Sequence, residues 1–143
     1  MPLIFRSMQM EGNRPRIGST ATSLGVRVPP DKKPDIVPDA AESVEPGRGG
    51  MSVVPAWRLL PFFRIPRRLK PIMPAATGSN SFSCWRMGEG LFAAGEVFES
   101  FALRPDPDNP VKHGFVEPAA RMSLVDYRAA LAATKCEWVI DET

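Results

Sequence analysis

Apolar and polar residues alternate at the start of the chain, in the segment PLIFRSM (residues 2–8). Because successive side chains of a strand point to opposite faces, this alternation predicts a first β-strand. Leu3 and Phe5 fall on one face of it, and Ile4 and Arg6 fall on the other. The chain is therefore predicted to begin with a strand that carries an arginine on one face.

Two further strands are predicted in the second half of the chain, over EVFESFALRP (96–105) and KHGFVEP (112–118). The connector PDPDNP between them contains three prolines and other turn-forming residues, which is typical of a rigid loop. We expect the two strands to pair as a hairpin. Near the end, EWVI (137–140) predicts a last strand or a segment docked against the sheet.

The clearest helix is predicted in SLVDYRAALAAT (123–134). Ser123 lies at the position of an N-cap, and Asp126 follows three residues later, as in a capping box. Leu124, Tyr127, Arg128 and Leu131 mark one face, with alanines beside them. The pattern predicts a single amphipathic helix near the end of the chain.

The rest of the chain shows little periodicity, and 16 prolines repeatedly interrupt helices and central strands. Residues 10–50 predict a long irregular loop region, a kind of segment that is usually functional or partly disordered. Residues 51–65 predict one or two short helical turns, and residues 77–84 a polar loop. The predicted fold is one small α+β domain over 1–143, with a split antiparallel sheet and few short helices.

The net charge of +2 conceals an uneven distribution of charges. Residues 46–88 contain seven basic side chains and no acidic one. Such a segment attracts an anion, such as a dinucleotide phosphate, a nucleic acid or an acidic protein, or it forms a solvated arginine face without a ligand. The seven residues are Arg48, Arg58, Arg64, Arg67, Arg68, Lys70 and Arg86.

No apolar run approaches the roughly 20 residues that cross a bilayer. The apolar start is too short for a secretory signal and is followed at once by Arg6. We therefore expect a cytoplasmic protein that makes no membrane contact. Cys84 and Cys136 lie far apart, outside metal-ligand spacing, and are expected to be buried free thiols.

A few residues could carry chemistry. His113, the only histidine, lies at the start of a predicted strand and could act as a general base or orient a ligand. Arg6 could grip a phosphate or a ribose hydroxyl. Ser52 follows Gly49 and Gly50, which permit close backbone approach to a ligand. No Gly-x-Ser-x-Gly, Walker or Rossmann motif surrounds Ser52, so the motifs do not support a serine hydrolase or a P-loop enzyme.

Three separated pieces of the chain resemble the type VI secretion exported toxins that have an ADP-ribosyltransferase-like fold. LIFRS resembles the opening strand of that family. PDIV (34–37) followed by VEPGRGGMSVV (44–54) resembles its Gly-Gly-x-Ser turn. FALRPDPDNPVKHGFVEPAARM (101–122) resembles its strand, polar connector and histidine strand. The three pieces occur in the family's order and touch about half of the chain.

The resemblance implies a toxin effector that uses NAD. Ser52 and His113 would line the cleft that receives NAD and take part in catalysis, and Arg6, Arg48, Gly49 and Gly50 would help to bind the dinucleotide. Growth arrest would follow in the cytosol of a target bacterium, through a target molecule that the sequence does not identify. The implied partners are the type VI secretion machinery and a cognate immunity protein.

The chain also departs from the family. Met51 stands where the family has threonine, and no Glu-x-Glu pair is present. Glu117, four residues after His113, alternates to the same strand face and is a speculative catalytic acid. Two alternatives stay open. One is a ribonuclease-type toxin that uses His113 as its acid and base, and the other is a binding or cargo module without catalysis.

Overall fold

Two four-stranded antiparallel sheets form the framework of the fold in a computed structural model that describes residues 1–143. The first sheet has the order β10-β5-β1-β2, and the second has the order β4-β8-β7-β6; a short pair, β3 and β9, lies apart. The strands are β1 (Ile4–Glu11), β2 (Arg14–Pro15), β3 (Ser43–Val44), β4 (Met51–Val53), β5 (Phe82–Met87), β6 (Gly95–Val97), β7 (Phe101–Pro105), β8 (Gly114–Pro118), β9 (Met122–Ser123) and β10 (Val139–Ile140).

The predicted first strand is confirmed as β1, which separates two hydrophobic cores. Ile4 and Met8 point into the larger core, whereas Phe5 belongs to the smaller one, with Leu3 packed against it. This alternation is the one that the sequence indicates. β1 is therefore buried on both faces, and Arg6 is buried with it.

The register of the second sheet decides which side chains share a face. Ser52 on β4 and Arg104 on β7 are both paired with Phe115 on β8, so the three form one row across the sheet. Their sequence neighbours Met51 and Val116 point the other way and are buried in the larger core. One face of this sheet thus packs in the interior, and the other carries Ser52.

The predicted pairing of the strands on either side of PDPDNP is confirmed, because β7 and β8 are antiparallel neighbours. The prediction of one continuous strand over 96–105 is wrong. The chain turns at Phe98, which has a φ of 54°, and β6 folds back on β7. A bulky residue at positive φ is uncommon, and the apolar pattern of this segment gives no sign of the turn.

The predicted polar loop over 77–84 is confirmed for 77–81 and wrong for 82–84, which begin β5, the partner of β1 in the first sheet. β5 is largely buried and contains Cys84 and Trp85. Three serines between residues 77 and 84 give the start of this strand the composition of a polar loop.

Residues 10–50 contain little regular structure, as predicted, but they are packed. Leu24, Val26 and Ile36 are buried in the larger core. Residues 51–65 begin with β4 and continue as short 3₁₀ turns, where helical turns were predicted. The 3₁₀ turns are Trp57–Leu59, Phe62–Arg64, Arg67–Leu69 and, later in the chain, Lys135–Glu137.

The predicted helix is confirmed as α1 (Leu124–Ala133). The hydroxyl of Ser123 accepts a hydrogen bond from the Asp126 N–H at 3.0 Å, which caps the helix. Tyr127 and Leu131 are buried beneath the second sheet's core residues. The structure is a small single α+β domain with curled antiparallel sheets and one α-helix.

Both cysteines are free, as predicted, but only Cys84 is buried and Cys136 is exposed. Burial raises the pKa of the Cys84 thiol to about 12, and Glu142 nearby adds to the effect. The Cys84 thiol therefore stays protonated at neutral pH. Separately, none of the helices is long and apolar enough to cross a membrane.

Candidate functional site

A cleft of about 460 Å³ opens beside β4, between the 3₁₀ turns and the loop that joins β7 to β8. Its basic lining residues are Arg6, Arg27, Lys33, Arg64, Lys112 and His113. Its apolar lining includes Val53, Val54, Leu59, Leu60 and Phe63. No carboxylate lines it, so the cleft offers an anion both positive charge and an apolar wall.

A larger groove of about 830 Å³ lies between the β6–β7 hairpin and α1. Glu96, Glu99 and Glu137 line it, and no basic side chain does. An acidic groove of this kind repels an anionic ligand. The smaller basic cleft is therefore the better candidate for the site that the sequence predicts.

Ser52 and His113 meet in the basic cleft although they lie 61 residues apart in the sequence. The Ser52 Oγ is 2.5 Å from the His113 Nε2. The other ring nitrogen, Nδ1, is 2.8 Å from the Asp106 Oδ2. Three side chains, one from β4, one from the β7–β8 loop and one from the residue just before β8, thus form one hydrogen-bonded chain, which we call the Ser52–His113–Asp106 chain.

The direction of these hydrogen bonds follows from their chemistry. The Asp106 carboxylate can only accept, so His113 Nδ1 must donate to it. In neutral histidine this leaves Nε2 unprotonated, and Nε2 accepts the Ser52 hydroxyl proton. The histidine tautomer is therefore assigned by the hydrogen-bond network, and it is the one that lets His113 take a proton from Ser52.

Asp106 is held rigidly by its loop. Its N–H donates to the His113 carbonyl at 2.9 Å, and its Oδ1 accepts from the Asp108 N–H at 2.9 Å. The Asp108 N–H, followed by the hydrogen bond from His113, lowers the pKa of Asp106 below its ordinary value. Asp106 is therefore ionised at neutral pH and keeps the imidazole oriented.

Glu117 lies near the Ser52–His113–Asp106 chain but does not line the cleft. Its Oε2 accepts from the Arg104 Nε at 2.9 Å and from the Gly47 N–H at 2.8 Å. Phe115 packs edge-on against the His113 ring, with centroids 4.9 Å apart, and Arg104 covers the same phenylalanine. These contacts give Glu117 a structural role, so its predicted role as a catalytic acid has no support from its position.

Arg6 does line the cleft, but its guanidinium is already bonded to backbone carbonyls. It donates to the Ser52 carbonyl at 2.9 Å and to the Ser23 carbonyl at 3.0 Å. Longer bonds reach Thr20 and Gly25. Burial lowers the pKa of Arg6 to about 10, which still leaves it charged at neutral pH. The structure thus gives Arg6 a positioning role, holding Ser52 and the 20–25 segment together, and its contact with a phosphate stays a prediction.

Arg64 is the better placed cation for an anionic ligand. It is half-buried and stacks on Phe63, with 5.0 Å between the guanidinium carbon and the ring centroid. It forms no salt bridge, whereas its neighbour Arg27 is bonded to Asp35 at 2.9 Å. Burial and then repulsion from Arg27 lower the pKa of Arg64. The charge of an anion that binds here would offset this lowering of the pKa.

The glycines of the turn before β4 are explained by packing within the protein. A side chain on Gly49 would overlap the Asp35 carbonyl, and one on Gly50 would lie 2.6 Å from the Val116 carbonyl oxygen. Arg48 is exposed and paired with Glu45 at 3.0 Å. None of the three lines the cleft, so their predicted contact with a dinucleotide has no support from their positions.

Tyr127 fixes the strand that carries Ser52. Its hydroxyl donates to the Val116 carbonyl at 2.5 Å and accepts from the Met51 N–H at 3.2 Å. It thereby bridges the main chains of β4 and β8 directly beside Ser52. Burial raises the pKa of the Tyr127 hydroxyl well above its ordinary value, so it remains a neutral donor.

A Tyr127→Phe variant is expected to lower the free energy of unfolding by about 1–3 kcal/mol, because it leaves a buried N–H and a buried carbonyl without partners. Urea unfolding measures the loss. Tyr127 is the only tyrosine of the chain. The comparison is therefore Phe101→Leu, which alters the ring packed against Tyr127 and leaves the bridge intact. Unchanged stability of Tyr127→Phe would contradict the bridging role.

The sequence indicates Ser52 and His113 as members of the site but does not indicate Asp106 or Arg64 in that role. The proximity of Asp106 to His113 could have been predicted, because a proline-rich connector in a hairpin must turn back toward the start of the second strand. Arg64 has no sequence signal beyond its place in the basic segment. The absence of a Gly-x-Ser-x-Gly motif gives no information on Asp106, because a Ser-His-Asp arrangement is recognised by geometry and occurs on unrelated folds.

Comparison of the chain with protein-family models and with curated proteins found no match.

Proposed function

We propose that this chain is an antibacterial toxin effector whose basic cleft binds and cleaves NAD, on an ADP-ribosyltransferase-like fold. The observation that carries the proposal is the meeting of Ser52 and His113, 2.5 Å apart, in a cleft lined by cations. The sequence resemblance assigns these same two residues to the NAD cleft. Their contact and the positive charge around them are what an NAD site of that kind requires.

The lining of the cleft suits the parts of a dinucleotide. Arg64, Lys33 and Lys112 supply positive charge for the pyrophosphate. Leu60 and Phe63 supply apolar surface for a planar ring. Ser52 and His113 then lie where they can hydrogen-bond a ribose hydroxyl. The cleft thus has residues for the pyrophosphate, for the planar ring and for the ribose.

NAD supplies a glycosidic bond between nicotinamide and ribose, which breaks through an oxocarbenium-like state. The protein's task is to hold the dinucleotide and to stabilise positive charge on the ribose. His113, oriented by the ionised Asp106, keeps the Ser52 oxygen electron-rich beside the ribose. Arg6 keeps Ser52 in place through its bond to the Ser52 carbonyl.

In the cell, this activity would cause growth arrest in the cytosol of a target bacterium after delivery by the type VI secretion machinery. The producing cell would need a cognate immunity protein. The exposed basic and apolar 3₁₀ turns beside the cleft, with Phe62, Phe63 and Arg67, are the surface that such a protein would cover. The target molecule would be a cytosolic acceptor of ADP-ribose.

The test is release of nicotinamide from NAD by the purified chain, measured beside growth of bacteria that express it. Wild type is expected to release nicotinamide and to arrest growth. His113→Ala is expected to lose both by about 10²-fold or more, because general-base groups typically contribute that much. Lys135→Ala, which removes a charge far from the cleft lining, serves as the matched control and should behave as wild type.

Other outcomes identify the alternatives. Growth arrest with cleavage of RNA and no loss of NAD would favour the ribonuclease-type toxin. Normal growth with a folded, soluble chain that releases no nicotinamide would overturn the toxin proposal and favour a binding or cargo module.

A further inference from the structure

We propose that the Ser52–His113–Asp106 chain makes Ser52 a covalent nucleophile, so that the cleft also has an esterase-type activity toward esters that carry a phosphate. This activity is separate from the cleavage of NAD. It rests on the Asp106 contact, which neither the sequence motifs nor the resemblance indicates.

The geometry is that of an activated serine. A serine hydroxyl becomes nucleophilic when an adjacent base takes its proton and a third group orients that base. Here the base lies 2.5 Å from the hydroxyl, and the orienting carboxylate lies 2.8 Å from the far side of the ring. Asp106 is itself fixed by the Asp108 N–H. All three links of an activated nucleophile are therefore within hydrogen-bond distance.

The other residues around Ser52 keep it in a fixed position. Its carbonyl is held by Arg6, and the neighbouring Met51 N–H is held by Tyr127. Phe115, paired with Ser52 across the strands, packs on the His113 ring. The serine thus lies on β4 and the base lies at the residue just before the neighbouring strand β8, which preserves their distance.

The lining of the cleft indicates the class of ester. Arg64 has no carboxylate partner and is open to a phosphate, with Lys112 beside His113 on the same cleft. Leu59 and Leu60 provide an apolar wall for an acyl group. The substrate class is an ester between a short acyl group and a phosphorylated alcohol.

The reaction divides into two steps that balance. The Ser52 oxygen bonds to the ester carbonyl carbon while His113 Nε2 takes its proton. The bond to the alcohol oxygen breaks, and His113 returns the proton to that oxygen. Water then bonds to the acyl carbon and gives a proton to His113, the Ser52–carbon bond breaks, and Ser52 recovers the proton. The products are a carboxylic acid and the phosphorylated alcohol.

The experiment treats the purified full chain with a fluorophosphonate and follows the intact mass. The Ser52 oxygen displaces fluoride from phosphorus, and its proton leaves through His113 with the fluoride. Wild type is expected to gain one adduct, mapped to Ser52 by peptide mass. Ser52→Ala should gain none, while Ser81→Ala, which removes an exposed hydroxyl with no histidine near it, should react as wild type.

Asp106→Asn tests the positioning residue, with Asp108→Asn as the control that removes the same charge two residues away. Asp106→Asn is expected to slow labelling about 10²-fold or more, because the imidazole loses its fixed tautomer. With p-nitrophenyl acetate, kcat should fall and KM should stay the same, since Asp106 does not line the cleft. Asp108→Asn should match wild type in both measurements.

Thermal melting identifies any variant that has not folded. If Asp106→Asn has not folded, it is replaced by Asp106→Glu, which keeps the charge. A folded wild-type chain without an adduct would overturn the proposal. An adduct that forms equally fast in Asp106→Asn, or one on a different residue, would overturn it too. Labelling of a chain that releases no nicotinamide from NAD would support this activity while contradicting the proposed function.

Discussion

An Arg64→Glu variant is expected to bind ADP at least a hundredfold more weakly than the wild-type chain. ADP is a suitable probe because it carries the diphosphate of NAD and lacks the bond that the protein would cleave. A hundredfold loss corresponds to about 2.8 kcal/mol. A hydrogen bond between two charged groups contributes about 1.5–3 kcal/mol, and the substitution adds repulsion to its loss.

The reason for this large effect is that Arg64 has no other partner. Arg27 is held by Asp35 through its side chain and its main-chain N–H, and Arg6 is bonded to carbonyls. Arg64 alone among these three arginines combines partial burial with a free guanidinium. Partial burial weakens the screening of its charge by salt, so the contact with a phosphate should be strong.

Calorimetric titration with ADP, at two salt concentrations, measures the effect. Arg67→Glu is the matched control, since Arg67 carries the same charge three residues away, is exposed and does not line the cleft. Its loss of affinity should be small and should vanish at the higher salt concentration. If both variants lost affinity equally, ADP would be attracted by the whole basic segment and no phosphate subsite would exist at Arg64.

The periodic parts of the chain could be predicted from the sequence. β1 is marked by the apolar run at its start, and α1 by its buried residues Leu124, Tyr127 and Leu131 and by the cap Ser123, so local patterns indicate both. β5 could not be predicted in this way, because serines at and before its start give it the composition of a loop, although it is largely buried, as β1 is. The turn at Phe98 could not be predicted either, since the apolar residues around it are typical of one continuous strand.

For the candidate site, too, local patterns could be predicted from the sequence and long-range contacts could not. Alternation along the predicted strand 112–118 places His113 and Glu117 on one face, and the sequence therefore indicates both residues. What distinguishes them is their partners from elsewhere in the chain: Ser52 for His113 and Arg104 for Glu117. Those partners are set by the pairing of β4 and β7 with β8, which is a long-range property of the fold. Residue types could be predicted, but their assembly into a site could not.

The turn before β4 gives a second large expected effect, on stability. Gly49→Ala is expected to lower the free energy of unfolding by about 3 kcal/mol or more. Gly49 has a φ of 100°, which alanine adopts only with strain, and the added methyl group would overlap the Asp35 carbonyl. Asp35 also anchors Arg27, so a shift of this segment would disturb the cleft lining as well.

Gly47→Ala separates the two causes, because Gly47 has a φ of 85° and no atom within 4 Å of an added methyl group. The free energy of unfolding of Gly47→Ala should be lower than that of wild type by about 1–2 kcal/mol, from backbone strain alone. Urea unfolding of both variants gives the comparison. A clearly larger loss for Gly49→Ala means that this glycine is needed for contact between two parts of the chain. Equal losses would remove the packing explanation, and the turn would again be available as a surface for a ligand, as the resemblance implies.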